Sequence, residues 1–354
     1  MNNNIAELLS MISELSDKNV NLMEVCGTHT MSIAKSGIRS VLPENIRLLS
    51  GPGCPVCVTP EEVIDEILKL SMEKGITIAT YGDLIKVPGS ERGTSLAGCR
   101  AEGADIRVVY SPMDAVKIAG QEPSRQVVFL GAGFETTAPG TAIAVKAAAE
   151  ERVRNFSIFS MLKMTPPALR TLINDPEFNV QGFICPGHVA TIIGEDGFRF
   201  LSEEYGIPAV ISGFEPEDIL LTVSRLMDQI STGKAELLNE YKRAVSKEGN
   251  KAAKAVMNQM LEGRDDIWRG LGTISESGLK LRSEFKDFDA EARFGITVKP
   301  SGHKSPCRCG EVIQGRILPV ECPLFGKACT PDEPMGPCMV SSEGACAAYF
   351  KYNV

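Results

Sequence analysis

Two cysteines spaced as Cys54-x-x-Cys57 follow a Gly-Pro-Gly run, and six more lie in the tail: Cys307, Cys309, Cys322, Cys329, Cys338 and Cys346. Thiolates bind soft metals and exchange disulfides, so these residues can hold a metal or move electrons. The chain has eleven cysteines in 354 residues. It does not open with a charged segment, an apolar run and a cleavage site, so a cytoplasmic setting is expected. Clustered cysteines in such a setting bind metal or do redox chemistry rather than form structural disulfides.

The tail reads C-x-C, then twelve residues, C, six, C, eight, C, seven, C. Zinc sites show paired knuckles of two to four intervening residues, and only the tight C-x-C is present. Irregular spacing beside Pro306, Pro323 and Pro337 suits an iron–sulfur cluster better, with zinc and free thiols as the alternatives. Four cysteines complete a cluster and two remain over. In extended backbone the side chains of a C-x-C point opposite ways, so Cys307 and Cys309 are not expected to serve one cluster together.

The front cysteines sit where a strand gives way to a helix. The helix dipole and free amides there favour thiolate, most of all at Cys57. The pair reads as a dithiol couple, half of a metal site, or a structural pair. Cys26 also follows a strand. If strands 21–25 and Ile46–Ser50 run parallel, Cys26, Cys54 and Cys57 emerge at one sheet edge, where doubly wound folds place ligands. His29, three residues on, offers a nitrogen to metal or a proton to a thiol, unless it is a satisfied structural histidine. Gly131-Ala132-Gly133 looks like a phosphate cradle but lacks the third glycine of a dinucleotide site and the GK[ST] of a Walker loop. Glu135 is either a buried functional acid or a helix cap. Cys99 and Cys185 read as small buried residues.

The elements that position these residues are short apolar runs alternating with helical patterns, which means α/β with parallel strands. Two similar parallel-sheet α/β domains are expected, at 20–124 and 125–230. A third domain, from 1–19 and 231–354, is expected to be helical and Cys-rich and to carry the cluster. Thr59 is expected to cap a helix in a box with Glu62, and residues 231–288 read as charged and helical. A net charge of −8 with no basic block excludes a nucleic-acid footprint. No apolar run is long enough to span a membrane.

Several strings together resemble the HypD family of hydrogenase-maturation proteins. They are Cys-Gly-Thr-His-Thr at 26–30, Gly-Pro-Gly-Cys-Pro-Val-Cys at 51–57, Tyr-Gly-Asp-Leu at 81–84 and Gly-Phe-Glu-Thr-Thr at 133–137. Pro-Gly-His-Val at 186–189, Gly-Phe-Glu-Pro at 213–216, Cys-Arg-Cys-Gly-Glu at 307–311 and Cys-Met-Val-Ser-Ser-Glu-Gly-Ala-Cys at 338–346 complete the set. The resemblance implies a scaffold that, with a small HypC-type chaperone, holds one iron while it gains two cyanides and a carbon monoxide. A HypE-type partner would supply the cyanide. It also implies that Cys26 ligates this mononuclear iron with His29 beside it, and that Cys54 and Cys57 form a redox pair. Cys307, Cys322, Cys329 and Cys346 would hold a 4Fe-4S cluster, with Cys309 and Cys338 as a linking thiol pair. Two other classes stay open: a stand-alone iron–sulfur thiol–disulfide oxidoreductase, and a zinc-stabilised binding module.

Overall fold

A computed structural model of the chain describes residues 3–299 and 305–352. Its strands are β1 (Val20–Glu24), β2 (Ile46–Ser50), β3 (Ile76–Thr80), β4 (Asp105–Val108), β5 (Gln126–Gly133), β6 (Phe156–Lys163), β7 (Gly182–Pro186), β8 (Ala209–Ser212), β9 (Leu237–Asn239), β10 (Leu261–Trp268) and β11 (Gly272–Leu281). β6 is buried at every position and β5 at all but its first, as parallel strands covered by helices on both faces are.

The strands form two sheets. One is wholly parallel, in the order β2-β1-β7-β8-β9. The other runs β10-β11-β6-β5-β3-β4, with β6, β5, β3 and β4 parallel and the β10–β11 hairpin added antiparallel on β6. The fold is α/β with two parallel-sheet units, as expected. The sheets do not follow the division expected between residues 124 and 125, because each takes strands from both sides of it. The chain crosses to the second sheet through the helix Glu61–Ser71, returns through Thr165–Ile173 and crosses again through Lys251–Met260. Periodicity identifies a strand but not its neighbour, so the interleaving left no mark in the pattern.

Two local expectations are corrected. Pro60, not Thr59, occupies the cap position before Glu61–Ser71, and the Thr59 hydroxyl donates back to the Pro55 carbonyl at 2.9 Å. The stretch 231–288 is helical only in part, at Lys251–Met260, in the 3-10 turn Ser283–Phe288 and at the end of the helix Pro216–Thr232. Its charged residues from Glu262 to Lys280 belong to the β10–β11 hairpin, whose faces are only partly covered.

The tail does not build a core of its own. Cys309, Cys329, Cys338 and Cys346 are buried in the same apolar cluster as Cys54, Cys57, Val56 and Phe134. The helix Ala345–Tyr352 packs on the helix Gly27–Lys35, which brings the tail over the carboxyl end of β1.

Candidate functional site

In each sheet the strand order reverses once. β1 leads to β2 on one side while β7 lies on the other, and β3 leads to β4 while β5 lies opposite. Such switch points leave a crevice at the carboxyl ends of the strands. Here both crevices open on one shared cleft of about 430 Å³. Cys26, Tyr81, Asp83, Phe134, His188 and Glu343 are among the side chains that line it.

Cys26 leaves β1 in extended conformation and caps the helix Gly27–Lys35. Behind it, the buried Glu24 carboxylate accepts the Cys26 N–H at 3.0 Å and the Thr30 hydroxyl. Burial raises the pKa of this carboxyl. Gly53 presses on the same point, and a Cβ there would stand 2.2 Å from the Cys26 nitrogen. The cysteine is 9% exposed and lies on the cleft wall. Burial, then the Glu343 charge, push its thiol up to about 12, while the His29 and Thr28 amides act against them. Such a thiol keeps its proton until a metal displaces it.

His29 points elsewhere. Its ring is fully buried, with Nε2 2.8 Å from the Gly213 carbonyl, and it stacks on Phe214 at 4.6 Å. Burial lowers its pKa to about 4, so at neutral pH Nε2–H donates to that carbonyl and Nδ1 carries no proton. His29 therefore ties the helix after β1 to the loop after β8 instead of facing the cleft. The histidine that does face the cleft is His188, stacked on the other face of Phe214 at 3.9 Å.

Behind the cleft runs a line of thiols. The Cys57 N–H donates to Cys54 Sγ at 3.2 Å. The Cys57 thiol neighbours those of Cys338 and Cys54, and both raise its pKa. Cys338 also meets Cys309 and Cys346, and Cys309 meets Cys307. Cys329 neighbours Cys307 and Cys322. Burial, and then these thiol neighbours, hold the Cys57 pKa well above the ordinary thiol value. The thiolate expected there from the helix start is not favoured, because desolvation outweighs the dipole.

The C-x-C also departs from expectation. Cys309 begins the helix Cys309–Ile313, so the pair is not extended and its two thiols are neighbours. Their convergence is visible at Gly336. A Cβ there would stand 2.4 Å from Cys307 Sγ and 3.5 Å from Cys309 Sγ. The alternation argument for splitting the two therefore fails.

Among the described residues no three His, Cys, Asp or Glu side chains converge as one metal ion requires. The tail thiols instead lie as a series of neighbours, with Gly336 keeping backbone close to Cys307 and Cys309. Arg269 lies near these thiols, with the Cys309, Cys307 and Cys338 sulfurs acting on its guanidinium. It is anchored by the Thr59 carbonyl at 3.0 Å and Glu61 at 3.6 Å. A buried cation facing several thiols suits an anionic, thiolate-bound cluster better than neutral thiols.

Sequence reasoning assigned no role to Glu24, Asp83, His188, Arg269, Ser341 or Glu343. Asp83, His188, Ser341 and Glu343 lie within strings that carry the family resemblance, but only the fold brings them to one cleft. Glu135 is fully buried. It accepts the Thr165 N–H at 2.8 Å and hydroxyl at 2.9 Å, and burial raises its pKa to about 7. Gly131-Ala132-Gly133 is strand, not a turn, and the Thr137 side chain fills the place of a Gly133 Cβ, so no phosphate cradle forms. Cys185 is a buried core residue.

These features define an α/β protein in which paired switch points present one cysteine and a line of thiols runs back to a Cys-rich tail. A HypD family model, described as hydrogenase formation hypA family, matches residues 3–353. The hydrogenase maturation factor HypD of Cupriavidus necator is 45% identical over 94% of this chain and 89% of its own length. The proteins of the same name from Rhodobacter capsulatus and Escherichia coli are 44% and 41% identical, each over 99% of this chain and 93% of its own length. The chain belongs to the HypD family.

Proposed function

We propose that this chain is a hydrogenase maturation factor. In this reading it serves, with a HypC-type chaperone, as the scaffold on which one iron receives two cyanides and a carbon monoxide. Cyanide comes from a HypE-type partner. The observation that carries the reading is Cys338, whose thiol meets Cys57 of the front pair and Cys309 of the tail at once. A cargo site in the cleft is thereby linked to the tail through a row of neighbouring sulfurs.

The iron is cargo, held by Cys26 and a cysteine of the chaperone, with Glu24 and Gly53 fixing where the Cys26 sulfur points. Soft thiolates suit iron that carries strong-field ligands. Phe134 and Tyr81 give the cleft part of its apolar wall. Cys307 or Cys309, with Cys322, Cys329 and Cys346, would hold a 4Fe-4S cluster. Such a cluster supplies electrons singly. Cys57 and Cys338 connect it to Cys54 by thiol–disulfide exchange, which moves electrons in pairs.

Analysis of anaerobically purified protein tests the tail: iron and sulfide are expected, and zinc without sulfide would sink the cluster. Cys54→Ala or Cys57→Ala should keep the cluster's absorption while stopping delivery of cyanide-bearing iron. Full maturation by both variants would remove the thiol pair from the mechanism. Catalytic turnover on a protein disulfide with no retained iron would favour the stand-alone oxidoreductase instead.

A further inference from the structure

Cys54 is 5% exposed and lies one layer behind the cleft. A thiol that enters disulfide exchange must release its proton, and this sulfur needs a way to do so. Its Sγ lies 3.3 Å from Ser341 Oγ. Ser341 Oγ lies 3.2 Å from Asp83 Oδ2 and also receives the Glu343 N–H at 3.2 Å. A hydroxyl has one proton to give and two lone pairs to receive. The Asp83 carboxylate only accepts, so the Ser341 proton goes to Asp83. The serine oxygen is then left to accept from Cys54 S–H and Glu343 N–H. The directions are fixed along the whole row. The Ser342 hydroxyl, 3.0 Å from the same Asp83 oxygen, holds that carboxylate in place. Ser341 and Asp83 both line the cleft, whereas Cys54 does not.

We propose that Ser341 and Asp83 are the proton path of Cys54, which makes Cys54 the attacking thiol of the front pair. Ser341 touches the reacting sulfur. Asp83 acts through it and is a positioning residue. In the step, Cys54–SH and the Asp83 carboxylate become Cys54–S⁻ and Asp83–COOH, with Ser341 passing one proton on as it takes the other. The thiolate attacks a disulfide presented to it. An S–S bond forms at Cys54, the attacked S–S bond breaks, and its electron pair leaves on the departing sulfur. The Asp83 proton then goes to that thiolate or to cleft water. Other titratable groups facing this row are Glu343 beside Asp83, Cys57 beside Cys54, and Tyr81 and Tyr110 on the cleft wall.

The inference rests on the thiol exchange proposed above, and its test is separate from maturation. The full-length chain carrying Cys57→Ser, so that a mixed disulfide persists, is treated anaerobically with dithiodipyridine across a pH series. The rate at Cys54 is read by mass-spectrometric peptide mapping, with Cys99 as internal reference. Asp83→Asn and Ser341→Ala should slow Cys54 about tenfold at neutral pH and move its pH profile up by about one unit, leaving Cys99 unchanged. Ser341→Thr, which keeps the hydroxyl, should hold the wild-type profile. An unshifted profile in Asp83→Asn overturns the path, and so does a Thr variant as slow as Ala. If Ser341→Ala does not fold, the isosteric Asp83→Asn decides alone. Failure here leaves the scaffold reading standing, since that reading fails only if the cyanide and carbon monoxide bands are missing.

Discussion

Gly53→Ala probes how the cargo cysteine is held. The added methyl would lie 2.2 Å from the Cys26 nitrogen, 2.4 Å from the Val25 carbonyl carbon and 2.6 Å from Cys26 Cα. These are backbone atoms and cannot turn aside. They are pinned by the pairing of Glu24 with Ser50 and by the Gly27 N–H to Gly53 carbonyl hydrogen bond of 3.0 Å. Non-bonded carbons settle at about 3.5 Å or more, so the two segments must part by about 1 Å. Overpacking of this kind costs about 1–3 kcal/mol. Loss of the Gly27 bond adds about 1 kcal/mol. A total of about 3 kcal/mol should lower Tm by about 4 °C in a chain this long. The same movement draws Cys26 away from Cys54, so iron retained by the complex should fall with it. Gly120, in the helix Pro112–Gln121, has open space at its Cβ position and gives the control. Gly120→Ala should stabilise by up to about 1 kcal/mol. Thermal unfolding by circular dichroism and iron analysis read both effects. A Gly53→Ala protein that melts with the wild type and keeps its iron would refute the reasoning.

Glu135 makes a pH prediction. Its folded pKa of about 7 lies above the ordinary 4.5, so the folded state holds this proton more tightly than the unfolded chain. The stability this proton contributes is complete below the unfolded value and is lost as pH rises through the folded one. Glu135→Gln should therefore gain on the wild type between pH 5 and 8, by up to about 3 kcal/mol, in urea unfolding. Parallel stability curves would contradict the assignment. Cys338→Ser should break the line of sulfurs between Cys57 and Cys309 while sparing the cluster, since Cys338 is not among its proposed ligands. The expected result is normal iron and sulfide content with a front pair that no longer re-reduces when the cluster is photoreduced. Wild-type re-reduction would remove Cys338 from the connection.

Much of the local structure was legible in the sequence. Apolar runs marked β1 to β8 but not β9, β10 or β11, and the expectation that β1 and β2 are parallel, with Cys26 and Cys54 at one end, matches their register. The interleaving of the sheets was not legible, because partner choice depends on which faces the helices cover. The β10–β11 hairpin hid behind charges such as Arg264, Asp265 and Asp266, which read as a helix surface. Burial decided the electrostatics. Sequence placed Cys57 at a helix start and predicted a thiolate, and the tail that closes over it reverses the sign. His29 and His188 could not be ranked from their neighbours in sequence. They flank one ring, Phe214, and only the fold shows which of them reaches the cleft.

The central claim is that Cys26 holds the cargo iron at the paired switch points. Infrared spectra of the anaerobically copurified complex with the HypC-type chaperone test it most directly. Cyanide and carbon monoxide stretching bands should be present with the wild-type chain and absent with Cys26→Ala, whose fold and tail iron remain. Undiminished bands in that variant would contradict the account.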